Sequence, residues 1–183
     1  MKAELQPRRF STDEFHRMIA AGIFAEDDCL ELLQGEIIEM TPISPRHAGC
    51  VTRLTTLLGK LIGDRALLSV QNPLRVDDET ELYPDIALLK TRADGYRERL
   101  PRPEDVLLLI EVADASLKTD QSVKIPQYAK AAIAEVWLFD IDKKQVYAQT
   151  NPLSSGYQTV RQMSTGELEA SQLPVRIGLD EII

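Results

Sequence analysis

The sequence predicts a mixed α/β (α+β) fold: a mixed β-sheet flanked by helices, preceded by an N-terminal helix and a β-hairpin. Three observations carry this. Helical and strand-like segments alternate in the order helix, hairpin, helix, strands, helix, strands. Val106-Leu107-Leu108-Leu109-Ile110-Glu111-Val112 is almost continuously apolar, as a strand buried on both faces must be. Ser44-Pro45 places an N-cap residue before a first-turn proline, and Val51, Leu54, Leu57, Leu58 and Leu61 follow at helical spacing.

Taken in order, residues 1–10 read as an arm, and residues 11–183 as a single domain. Ser11 or Thr12 can cap a helix whose first turn holds Asp13 and Glu14, with Phe15, Met18 and Ile19 on one stripe and Gly22 at its end. Two apolar runs flank Gln34-Gly35, which marks a hairpin turn. The helix opened by Ser44-Pro45 extends to about Ile62, where Gly63 stops it. Residues 66–76 read as a strand interrupted at Pro73, and an acidic loop, Asp77 to Glu81, follows. Pro84 to Leu89 reads as a short strand. Arg92 to Pro103 forms a charged loop in which Arg97, Arg99 and Arg102 cluster, either as a DNA-contacting loop or as a plain charged surface loop. Pro126 sits awkwardly inside a helical segment from Thr119 to Ala132, so that helix starts near Ser122 or kinks there. Glu135 to Asp140 is a second core strand, in which Trp137 packs inward, and further short strands follow Gly156.

Composition narrows the classes. The chain has 183 residues, with 44% hydrophobic and 27% charged, which excludes disordered and collagen-like classes. No apolar run reaches membrane-spanning length, and the first residues lack the apolar segment of a signal peptide, so a cytoplasmic protein is expected. Cys29 and Cys50 make neither a disulfide framework nor a metal cluster. With 21 Lys+Arg against 29 Asp+Glu, the net charge is −8. Non-specific coating of nucleic acid is thereby disfavoured, and any nucleic acid must meet a local patch or be drawn in by metal ions.

One constellation points to chemistry. Asp85 opens one strand after Pro84, Glu111 ends the central strand, and Lys124 lies on the helix that follows, with Ser116 and Asp120 between. If the two strands are neighbours, both carboxylates meet at one sheet edge, where a divalent cation relieves their repulsion. Mg²⁺ accepts one or two carboxylates with water and phosphate, and a nearby lysine orients water and offsets phosphate charge. The alternative is a pair of ordinary strand-end carboxylates that cap a helix or meet an arginine.

Further stretches tie these residues together. Glu31 to Met40, Ser44-Pro45-Arg46-His47, Pro84 to Leu88, Leu109 to Val112, Tyr128 to Ala131 and Glu135 to Asp140 occur in an order and spacing that resembles the Uma2 (DUF820) family over roughly residues 8–182. Uma2 proteins are described as restriction endonucleases and are similar to the PD-(D/E)XK nuclease superfamily. The resemblance implies a restriction-endonuclease-like core and Mg²⁺-dependent phosphodiester hydrolysis, with Mn²⁺ able to substitute. It makes Asp85 and Glu111 the metal ligands and Lys124 the catalytic lysine. The superfamily pattern has that lysine two residues after the second acid, where this chain has Ala113. The resemblance also offers Glu31 as an additional catalytic acid, against a solvated strand carboxylate. His47, Gln71, Ser116, Asp120 and Tyr128 are the candidate substrate-binding residues. For His47 and Gln71, a local structural role is the alternative.

Three functions follow as expectations. The first is a DNA endonuclease acting as a homodimer, since cutting both strands takes two sites. The second is a nuclease-like fold without cleavage that serves as a binding or assembly module, a reading that Ala113 and the acidic charge favour. The third is a hydrolase of small phosphorylated substrates, which needs no basic groove.

Overall fold

In the computed structural model, residues 7–114, 117 and 120–183 are described. Helix α1 (Thr12–Ala20) is opened by a full capping box: Ser11 accepts the Glu14 N–H, and the Glu14 carboxylate accepts the Ser11 N–H. Strands β1 (Leu30–Leu33) and β2 (Glu36–Glu39) form the expected hairpin, with Gln34 and Gly35 at positive φ, as a tight turn demands. Gly35 cannot be enlarged, because a Cβ there would meet Arg9 at 2.5 Å. Residues 9 and 10 lie across this turn, where Phe10 N–H donates to the Gly35 carbonyl. Helix α2 (Pro45–Ile62) begins as the sequence predicts, with Ser44 accepting the His47 N–H and Pro45 in the first turn.

The main sheet has six strands in the order β10-β9-β8-β7-β6-β3. They are β3 (Leu67–Val70), β6 (Ile86–Leu89), β7 (Val106–Ala113), β8 (Glu135–Asp140), β9 (Gln145–Leu153) and β10 (Gly156–Met163). Only β7 and β8 run parallel, and the segment between them makes the crossover. A second sheet, ordered β2-β1-β5-β4, adds the two-residue strands β4 (Leu74–Arg75) and β5 (Glu81–Leu82) to the hairpin. The expected strand over 66–76 is therefore two strands in two sheets, separated by the break at Pro73. A small ribbon, β11 (Glu167–Glu169) with β12 (Arg176–Gly178), completes the fold.

Period-two alternation divides the central strand between two cores. Leu108, Ile110 and Val112 face α2, Trp137, Phe139 and the β11–β12 ribbon. Leu109 and Ala113 face the other way, toward Ile125, Tyr128, Val136 and Leu138. Glu111 shares the parity of Leu109 and Ala113, so it points into the second core and needs polar company there. Trp137 is core, and its indole N–H donates to Glu135 at 2.7 Å.

The regular helix starts late, with Pro126 in its first turn. Residues Asp120–Lys124 form a π-helical turn, and helix α3 (Ile125–Lys130) continues from it. Proline has no N–H for the carbonyl four residues back and its ring crowds that carbonyl; the wider turn gives the ring room.

In the arginine-rich loop, Arg92 and Arg99 are held by internal ion pairs, while Arg97 and Arg102 are exposed. Arg92 makes two hydrogen bonds to Asp94 and Arg99 makes two to Asp105, while both guanidinium groups stack on Tyr96. Asp105 precedes β7 and Glu111 lies near its far end, so about six residues of extended chain, roughly 20 Å, separate loop and site. Among the described residues, no helix is long and apolar enough to cross a membrane.

Candidate active site

Strand register builds the site as a row across the sheet. Val70 pairs with Ile86, and Ile86 with Ile110, both antiparallel. One step further, Gln71, Asp85 and Glu111 fall side by side at the ends of three adjacent strands. Hydrogen bonds confirm the row. Gln71 N–H donates to the Asp85 carbonyl at 3.1 Å, and the Asp85 N–H points at Glu111 Oε2 at 3.4 Å. Asp85 Oδ2 in turn accepts the Val112 N–H at 2.9 Å. Each carboxylate is thus tied to the backbone of the other's strand.

Side chains from four further elements close on this row. The N-terminal turn of α2 brings His47 Nε2 to 3.0 Å from Asp85 Oδ2, and the Gln71 amide donates to Asp85 Oδ1 at 3.3 Å. Gln71 holds φ 51, an unusual backbone for a side-chain-bearing residue, at the point where β3 ends. From α3, the Tyr128 hydroxyl donates to Glu111 Oε1 at 2.6 Å. From the π-turn, Lys124 Nζ donates to Glu31 Oε1 at 2.9 Å. Glu31 stands on β1 of the second sheet, and the same oxygen accepts the Tyr83 N–H at 2.8 Å.

The whole set is sequestered. Glu31, Asp85, Glu111, Asp120, Lys124 and Tyr128 are all buried, which overturns the solvated alternative for Glu31. Tyr128 has no exposed surface and stands behind Glu111. Ser116 lies outside the described residues. The sequence reading missed the brace beside the site, in which Ser44 donates to Asp114 at 2.6 Å and fixes the start of α2 against the end of β7. The one signal available was Asp114 itself, three residues after Glu111.

Electrostatics follow from burial and charge imbalance. Burial pushes the Glu111 carboxyl up to about 8; Lys124 opposes this, while Asp85 and Asp120 add to it. Burial alone would discharge Lys124, but Glu111 and Glu31 outweigh it and hold the ammonium above its ordinary range. The hydrogen bond to Asp85 raises His47, against the cost of its burial. Burial, then Glu111 and Glu31, drive the Tyr128 phenol far above its usual value, so it stays a donor.

Four buried carboxyl groups therefore share one lysine and one histidine. This donor set fits a hard divalent cation at Asp85 and Glu111. Among the described residues, no group of three or more His, Cys, Asp or Glu side chains forms a ready-made cage. Mg²⁺ needs no such cage, since it keeps much of its water and takes few protein ligands.

Known proteins share this fold. A crystal structure from Anabaena variabilis ATCC 29413, described as "a putative nuclease belonging to DUF820", superposes with a TM-score of 0.70 at 16% identity, covering 94% of this chain and 97% of that one. At that identity the likeness establishes the fold. No curated protein matches the chain. The model of the Uma2 family, described as "Putative restriction endonuclease", matches residues 12–180, so nearly the whole chain, with every candidate residue of the site inside the match, belongs to the Uma2 family.

Proposed function

We propose that the chain is a Mg²⁺-dependent endonuclease that hydrolyses DNA phosphodiester bonds. One observation carries the reading: register sets Asp85 beside Glu111 at the sheet edge, with Lys124 hydrogen-bonded to Glu31 in the same buried cluster. A cation at Asp85 and Glu111 would supply Lewis-acid stabilisation of the charge that builds on phosphate.

The chain's own residues define the rest. Lys124 is a cation that cannot take a proton from water. It serves as a fixed positive charge and hydrogen-bond donor, orienting the attacking water and stabilising the negative charge that develops on phosphate. Glu31 holds the ammonium in place, and Glu111 together with Glu31 keeps it charged. Tyr128 and Gln71 fix the carboxylates from behind and from the side. In the hydrolysis, the water oxygen bonds to phosphorus as the bond to the leaving deoxyribose oxygen breaks. The water's protons end on solvent and on the leaving oxygen.

A second reading has its own support. Arg92 and Arg99 are consumed by internal ion pairs, and Arg46 is tied to Asp114 and Asp142. With a net charge of −8, this suits a small phosphodiester better than a long duplex.

The test is cleavage of supercoiled, linear and single-stranded DNA, of RNA and of a small chromogenic phosphodiester, with Mg²⁺ or Mn²⁺ and an EDTA control. Asp85→Ala and Lys124→Ala proteins run in parallel. Metal-dependent cutting of DNA lost in both variants is the expected result. Turnover of the small ester alone selects the second reading. Cutting that survives Asp85→Ala overturns the site, and absence of any turnover and any metal binding leaves a binding module.

A further inference from the structure

Beyond the first turn of α2, the helix and the C-terminal 3₁₀ turn, Leu179–Glu181, border an open groove of about 750 Å³. Half-buried Leu57 and buried Ile182 give it an apolar base. The two sides carry opposite charge. Arg53 and Lys60 project from α2, while Asp180 and Glu181 stand on the turn. All four are exposed, and none takes part in an ion pair among the described residues. The other face of α2 is fully engaged, with Val51, Leu54 and Leu58 in the core.

We infer that this groove is a self-association surface that takes a second copy of the same chain. The charge pattern selects that occupant. Under a two-fold axis, Arg53 and Lys60 of each copy meet Asp180 and Glu181 of the other, so one patch satisfies itself. A nucleic acid or an acidic peptide would match the α2 side and be repelled by the turn, and a basic partner would meet the reverse conflict. Two copies each carrying −8 repel at long range, and a locally complementary patch of this kind opposes that repulsion at contact. Helix α2, 18 residues and about 27 Å long, gives the contact a rigid spine. The inference rests on the groove alone and does not depend on the nuclease reading.

The experiment is sedimentation equilibrium on the full chain, free of metal and nucleic acid. The variants are Lys60→Glu, Glu181→Lys, the two combined, and Thr56→Arg, which places bulk and charge on the helical wall. Circular dichroism melts establish that each is folded. A wild-type dimer is expected. Each single reversal should weaken it about tenfold or more, because symmetry counts every change twice, and the combined variant should recover it. A wild-type monomer up to about 100 μM overturns the inference. So does a dimer indifferent to both reversals and to Thr56→Arg, or a combined variant that fails to recover. Salt-sensitive DNA retention lost in Lys60→Glu with the association state unchanged also overturns it, and assigns the groove to nucleic acid.

Discussion

Tyr128 donates a 2.6 Å hydrogen bond to Glu111, and neither side chain has meaningful contact with bulk solvent. A phenol that cannot ionise makes a permanent donor, and it biases Glu111 toward the charged form. Tyr128→Phe removes that bias. A hydrogen bond to a charged group contributes about 1.5–3 kcal/mol. The variant should therefore bind Mg²⁺ more weakly in calorimetric titration, and the acid limb of its cleavage profile should move to higher pH. An unchanged profile would mean that Glu111 does not need to be ionised.

Glu111 also sets a pH dependence of stability. Its carboxyl is raised in the fold from its usual 4.5 to about 8, so the native state holds a proton that the unfolded chain releases. Stability from this group is complete below about 4.5 and is lost as pH climbs toward 8. The metal-free protein should lose stability over that window relative to Glu111→Gln, measured by urea unfolding at successive pH values. Mg²⁺ should raise the melting temperature more at pH 8 than at pH 5. A difference curve without slope would refute the assignment.

The buried Lys124–Glu31 pair gives an asymmetric prediction. Removing one partner leaves a buried uncompensated charge, at a cost of about 3–5 kcal/mol. Lys124→Met alone should be strongly destabilised, and the double variant with Glu31→Leu should regain much of that loss. Both should lose cleavage by about 10²-fold or more, because the fixed cation is gone from each. Stability and activity would then separate cleanly in the double variant. Its recovery of activity would exclude Lys124 from the chemistry.

The arginine loop supplies the converse case. Asp105→Asn breaks the paired contact with Arg99 at the start of β7, far from Glu111. Thermal stability should fall by about 1–3 kcal/mol, while cleavage at a temperature where the variant is folded should stay within about twofold. A selective loss of DNA affinity in Asp105→Asn or Arg97→Ala would restore the loop as a nucleic-acid contact.

Much of this molecule is legible in its sequence, for reasons that are local. Ser44-Pro45 and Gln34-Gly35 state their own backbone geometry, and the apolar run of β7 can only be central. Asp85 and Glu111 stand out because acids at the ends of apolar strands need a reason. The unread parts depend on distant partners. Strands β4 and β5 have two residues each and exist only through pairing, β5 with β1 and β4 with β5. Burial of Glu31 follows from the second sheet closing over the π-turn, and no residue near position 31 encodes that. Arg99 carries no mark to distinguish a guanidinium kept for Asp105 from one offered to phosphate.

The turn at Asp120–Lys124 is, in backbone terms, one residue more than an α-helix would use. Each residue of an α-helix advances the side-chain direction by about 100°, so that single surplus residue resets the facing of everything on one side of it. Lys124 and Tyr128 consequently belong to one angular frame, and Leu117 to another. Deleting Gln121 should return the turn to α-helical spacing, leave α3 intact, and turn Asp120 to a different direction relative to Lys124 and Tyr128. A change in chain length within the turn can therefore redirect the Asp120 carboxylate relative to the lysine, which no exchange of a side chain would do.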